Sequence, residues 1–386
     1  MNITLYADSI RENSGFISNA STHSLCAITL FVFCLLLPAA FVSPVAAAEN
    51  VNAGDKESGS PAPNPKSYNF WNNVKSPDQF DSWRRGVVTF YRKAIGIKPS
   101  FEPLPLDTAD TETIQVGNNV TRHRIEYNTT DGLRIPAYLF VPKTDKPVPA
   151  IIVYHGHGAG KIAAAEREGT NENALARYLA ETLGYIVLAP DARSFGEFKI
   201  PHAESHLDYY FSLMSKNKLY MSKLMEDGYQ DLALLRSVPQ ADTKRIGVAG
   251  ISMGSWRALN FAVLHEEAAA TVVTGLYIPW DYLFSDKHCR CQHIPKLAMK
   301  LDAEDFAATV FPRDLMIQWG QQDSFYKMGA EELIGRTEKI AGFLGFADHF
   351  VVDRHPTMGH RFSNSEIAGF FHKRFGDGAW TPQKPD

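Results

Sequence analysis

Between residues 150 and 352 the chain repeats one unit: a short run of consecutive apolar residues, then a stretch with apolar residues along one helical face. Ala150-Ile151-Ile152-Val153-Tyr154 and Tyr185-Ile186-Val187-Leu188-Ala189 are such runs, and 245–250, 271–276, 315–319 and 350–352 continue the series. Helical spacing fills the gaps: Ala174, Leu175, Tyr178, Leu179 and Leu183 share a face, and 224–235, 256–264, 331–344 and 365–375 read the same way. Strands without alternation must be buried on both faces, so they predict a mostly parallel, twisted sheet with helices on both sides. Ahead of them, 122–128 and 133–141 flank Thr130-Asp131-Gly132, which predicts an N-terminal antiparallel hairpin. In open sheets of this class, sites form beyond the carboxyl ends of the strands.

The remainder of the chain is simpler. Residues 25–42 are almost wholly apolar, and Pro38, Pro44 and Ala46-Ala47-Ala48-Glu49 follow. That pattern predicts a secretory signal over 1–48, cut after Ala48, with a secreted or periplasmic product and no stable membrane association after cleavage. An uncleaved anchor is the competing reading, because the apolar stretch is near bilayer length. Residues 49–66 are polar and rich in Gly, Ser and Pro, a linker that cannot build a core. One folded domain is expected over 67–386.

Of the 386 residues, 45% are apolar and 21% charged, enough for a sizeable core. The formal net charge is −4 and the Lys and Arg residues are scattered, which argues against nucleic acid as a partner. Removal of 1–48 would leave Cys289 and Cys291 alone, too few for a disulfide framework.

Gly250-Ile251-Ser252-Met253-Gly254 falls where a strand ends and a helix begins. A serine there is lifted above the sheet by a sharp turn that only glycine neighbours permit, and the following N–H points at a developing oxyanion. Ser252 is therefore the candidate nucleophile and Met253 one oxyanion donor. Serine needs a base, and the base needs an orienting carboxylate. His360, in Met358-Gly359-His360, follows the last strand and precedes the last helix; His355 competes but lies nearer the strand and before Pro356. Asp323, in Gly320-Gln321-Gln322-Asp323, follows the strand ending at Trp319, with Asp281 as the alternative acid.

The loop His155-Gly156-His157-Gly158-Ala159-Gly160 should supply the second oxyanion donor, the N–H of His157. Arg193, Trp280 and Trp319 are candidate substrate contacts, although an Asp191–Arg193 pair bracing its loop is the preferred reading of Arg193. Tyr209, Tyr210, Phe211, Tyr220, Tyr282 and Phe284 lie in two expected cap segments, where they stack on sugar rings or form cap core. His288-Cys289-Arg290-Cys291 does not supply a tetrahedral ligand set by itself, and no partner for the His157 side chain stands at metal-ligand spacing. No metal site is expected, the chemistry needs no cofactor, and Cys289 and Cys291 read as a buried turn or a strained disulfide.

These motifs together resemble the branch of the α/β-hydrolases that holds acetyl xylan esterases, cephalosporin C deacetylases and dienelactone hydrolase-like proteins. The likeness spans roughly 83–375 and includes Asp191-Ala192-Arg193-Ser194-Phe195-Gly196. It implies the α/β-hydrolase fold, a Ser252–His360–Asp323 triad, and a small-molecule or carbohydrate ester as substrate. One departure stands out: deacetylases of this group tend to carry Arg-Gly-Gln where this chain has Arg193-Ser194-Phe195. The resulting expectation is a serine carboxylic ester hydrolase working through an acyl-enzyme. A prolyl oligopeptidase-like peptidase ranks lower, since the region before Thr121 is too short for a propeller. A non-catalytic binding protein on the same scaffold would predict a damaged triad.

Overall fold

The computed structural model describes residues 67–98, 101–166 and 170–376. The expected signal and linker, 1–66, lie outside the described residues. Nine strands form one sheet: β1 (Ala109–Val116), β2 (Val120–Asn128), β3 (Arg134–Pro142), β4 (Val148–Tyr154), β5 (Ile186–Pro190), β6 (Ala241–Ile251), β7 (Ala268–Thr274), β8 (Asp314–Gly320) and β9 (Phe350–His355). Their order is β1-β2-β3-β5-β4-β6-β7-β8-β9. From β5 to β9 every neighbouring pair is parallel. The first three strands form an antiparallel meander that joins β5 antiparallel through β3.

Continuous apolar runs do become central strands, because each face of the sheet has its own core. Ile152 and Tyr154 of β4 and Val248 of β6 pack into one cluster with Val87, Leu224, Leu232, Leu259 and Leu333. Ile151 and Val153, and Ala249 and Ile251, enter the other with Leu175, Leu179, Ile367 and Phe371. Alternate residues point to opposite faces, so a strand covered twice must be apolar throughout. Helices Phe80–Ile95, Tyr220–Ser237, Met253–Leu264 and Ala330–Leu344 contribute to the first cluster, and Leu175–Leu183 and Asn364–Phe375 to the second.

The strand β1 adds to the expected hairpin. Its residues are exposed except for Val116, so no apolar face announces it. Pairing with β2, from Ala109–Glu126 to Val116–Val120, holds it at the sheet edge instead. Among the described residues no helix is long and apolar enough to cross a membrane.

Candidate active site

Ser252 lies between β6 and helix Met253–Leu264 with φ 56° and ψ −122°, a region costly for any residue bearing a Cβ. Its N–H donates to Thr274 O at 2.9 Å, and its carbonyl accepts from the N–H groups of Ser255 and Trp256. The flanking glycines are obligatory. A Cβ on Gly250 would stand 2.0 Å from Gly254 O, and one on Gly254 would stand 2.2 Å from Tyr154 O. Helix and strand approach so closely that only bare backbone fits between them. Met253 opens the helix, where first-turn N–H groups have no partner within the helix.

Beyond β8 and β9 the loops are laced together. Gln321 N–H donates to His355 O and Gln322 N–H to Met358 O. Across this pair of loops, His360 Nδ1 lies 2.6 Å from Asp323 Oδ2. Asp323 is buried, and its other oxygen accepts from Phe325 N–H at 3.0 Å. A carboxylate on Nδ1 holds the imidazole with Nε2 free to accept a proton. Asp281, in the exposed first turn of helix Trp280–Leu283, is not the partner of His360. His355 ends β9 and is held there by its carbonyl contact.

The loop after β4 runs beside the serine: a Cβ on Gly156 would lie 3.3 Å from Ser252 Cβ. Buried His155 fixes this loop. Its Nδ1–H donates to Gly156 O at 2.7 Å and its Nε2 accepts from Ala192 N–H at 2.9 Å. Burial pulls the imidazole down to about 4, so it stays neutral at ordinary pH. Gly156 N–H donates to Glu172 Oε1, a buried carboxylate that no motif signalled.

Arg193 is not a substrate contact. It is fully buried, and all five of its N–H groups are taken up by Asp227, Asp131 and Tyr209. Burial pushes the Asp131 carboxyl up, but the guanidinium more than offsets this and holds it below the usual carboxylate range. Asp191 does not pair with Arg193 either. It accepts from the Lys161 ammonium at 2.9 Å and from the N–H groups of Lys161 and Glu197.

Trp319 and Trp280 are likewise corrected. Trp319 is fully buried in β8, and Trp280 packs edge-on against Trp256 and near Phe284 and Phe306 as cap core. Of the cap aromatics, Phe211 and Tyr282 are the exposed ones. A cleft of about 670 Å³ lies between helix Leu175–Leu183 and the His360 loop, lined by Arg177, Tyr178, Arg361 and Asn364 among others. Ser252, Asp323 and His360 do not line it.

The expectation of no metal-ligand set fails on its premise. His157, His206, Cys289 and Cys291 present ligand atoms that all lie within 4.8 Å of one another. Cys289 and Cys291 are free thiols, not a disulfide. Spacing along the chain could not signal this group, because tertiary folding alone brings the two histidines to the Cys-x-Cys turn.

The model of the acetyl xylan esterase family AXE1 matches residues 68–282, which include Ser252 but not Asp323 or His360. The provisionally named hydrolase YtaP of Bacillus subtilis (strain 168) is 25% identical over 240 residues, 60% of this chain and 78% of YtaP. Among solved structures, a provisionally named acetyl xylan esterase of Bacteroides fragilis NCTC 9343 superposes with TM-score 0.62 at 17% identity, covering 75% of this chain and 78% of that one. Methylesterase BT1017 gives 0.63 at 17%, covering 80% and 67%, and a glucuronoyl esterase from Solibacter usitatus gives 0.57 at 13%, covering 78% and 95%. At these identities the structural likeness speaks for the fold, and the fold is that of the α/β-hydrolases. With more than half of its length matched by the family model, the chain belongs to the acetyl xylan esterase family and is a serine hydrolase of carboxylic ester bonds.

Proposed function

We propose that Ser252, His360 and Asp323 form a catalytic triad that removes acetyl groups from carbohydrate outside the cytoplasm. The observation that carries the reading is the 2.6 Å contact of His360 Nδ1 with buried Asp323, at the same end of the sheet as the strained turn of Ser252. In this reading Nε2 of His360 takes the Ser252 proton as Oγ attacks the ester carbonyl. The tetrahedral oxyanion is met by the N–H groups of Met253 and His157. His360 then gives the proton to the sugar oxygen as its bond to the carbonyl carbon breaks, so that the sugar leaves as a free hydroxyl and an acetyl-serine remains. Water, deprotonated by the same nitrogen, attacks the acetyl-serine; collapse releases acetate and returns the proton to Ser252.

Membership of the acetyl xylan esterase family supports the acetylated sugar, and exposed Phe211 and Tyr282 are the cap aromatics available for stacking. The apolar run at 25–42 and the small residues ending at Ala48 support export. A panel of aryl acetates, acetylated xylo-oligosaccharides, methyl glucuronate and aminoacyl amides tests the reading. Acetyl esters should turn over fastest, and Ser252→Ala should lose roughly 10³-fold or more. Full activity in that variant, or a preference for amides, overturns it. Sequencing the N-terminus of exported protein should begin at Glu49.

A further inference from the structure

We propose that His157, His206, Cys289 and Cys291 bind one Zn²⁺ ion in a closed tetrahedral site that staples the cap to the loop beside Ser252. Three segments far apart in sequence converge there: the loop after β4, the first residue of helix His206–Met214, and the turn around Arg290–Gln292. His157 Nε2 is 3.3 Å from Cys291 Sγ, His206 Nε2 is 3.3 Å from Cys289 Sγ, and the two sulfurs are 3.0 Å apart. A disulfide requires about 2.05 Å, so the sulfurs are unbonded. In a tetrahedron with Zn–S near 2.3 Å and Zn–N near 2.0–2.1 Å, an N–S edge is roughly 3.6 Å and an S–S edge roughly 3.8 Å. The two N–S contacts fall about 0.3 Å short of their edge and the sulfurs about 0.8 Å short of theirs, with all four atoms inside 4.8 Å, so small side-chain shifts seat the ion.

The chemistry of the set is specific. Two thiols and two imidazoles, with no carboxylate among them, favour Zn²⁺ over hard cations such as Mg²⁺ or Ca²⁺. Four protein ligands leave no open position, which marks a structural ion rather than a catalytic one.

The surroundings hold the ligands in place. Phe195 stacks on the His206 ring at 4.8 Å and meets the His157 ring at 5.6 Å. This gives a reason for Phe195 in the stretch where related deacetylases tend to have Arg-Gly-Gln: it is the platform of the two histidines. Backbone bonds from Gln292 to Cys289 and from His293 to Arg290 close the cysteine turn. Trp256 Nε1 donates to Gln292 O at 3.0 Å, tying that turn to the helix that follows Ser252. The metal would therefore fix the backbone of His157, a consequence that rests on the oxyanion role given to that residue above.

Elemental analysis of the purified full chain, prepared without chelator, tests the site directly. It should find about one zinc per chain, falling below about a tenth in Cys289→Ser, Cys291→Ser and His206→Ala. Cobalt(II) added to chelator-stripped wild type should give thiolate-to-cobalt charge-transfer absorption that saturates at about one equivalent. This second measurement needs no variant to fold. Wild type without zinc and without the cobalt absorption overturns the proposal. So does zinc retained by both cysteine variants, or a Cys289–Cys291 disulfide in active enzyme. Ser252→Ala should keep the metal, so failure of the triad and failure of the zinc site are told apart.

Discussion

Gly275 leaves room for the ring of His360: a methyl group there would stand 2.9 Å from both Nδ1 and Cε1 of that imidazole. Gly275 follows Thr274, whose carbonyl holds the N–H of Ser252, and its φ of 70° is itself unfavourable for a side chain. Gly275→Ala should therefore push the imidazole off Asp323. Displacement of a catalytic group by about 1 Å costs on the order of 10²-fold, so kcat should fall by that factor while the chain remains folded. An unchanged kcat in folded Gly275→Ala would show that His360 does not work from this position.

Asp323 and Asp281 can be separated by one pair of variants. Asp323→Asn keeps the shape of the residue but favours the wrong imidazole tautomer, and the rate should drop by up to roughly 10⁴-fold. Asp281→Asn, on the exposed surface, should stay within about twofold of wild type. Steady-state kinetics on an aryl acetate decides, and the reverse order would reassign the acid.

Arg193→Met should act on stability and not on substrate affinity. It strands Asp227, which is almost fully buried, and takes away a partner of Asp131. Breaking such a pair from one side costs about 3–5 kcal/mol. Urea denaturation should show that loss, with KM of the remaining folded enzyme little changed. A large rise in KM at unaltered stability would return Arg193 to the substrate site.

Asp305 gives the fold a pH dependence. Burial raises its carboxyl from the ordinary 3.8 to about 7, while it accepts from the N–H groups of Phe70 and Asp302. Between those two values the folded chain holds a proton that the unfolded chain has released. Its contribution is then fully present below about pH 4 and is lost as pH rises to about 7. Asp305→Asn should remove this slope, so the variant gains on wild type in melting temperature from pH 4.5 to pH 7.5. Parallel curves would refute the assignment.

Much of the fold was legible because burial on both faces writes itself as unbroken apolar runs. β5, all five residues buried, is such a case. β1 was not legible, since an edge strand exposed along nearly its whole length needs no apolar face. Ser252 was readable for a steric reason: glycines at 250 and 254 are the only residues that fit between β6, β4 and the helix. The order of Asp323 and His360 along the chain followed from the strand series.

Pairings had no such signature. Proximity in sequence suggests Asp191 for Arg193, two residues away, whereas its partners lie at 131 and 227, and Asp191 serves Lys161 instead. Nothing local relates His157 or His206 to the Cys-x-Cys turn either, because each lies more than eighty residues before it. Sequence by itself determined the buried strands of the sheet, the turn that presents Ser252, and the family, because local sterics and strand burial act between near neighbours. Tertiary structure alone decided which charges pair, which tryptophans are core, and that two histidines meet two cysteines. Those contacts join residues tens to more than a hundred positions apart, and no local constraint records them.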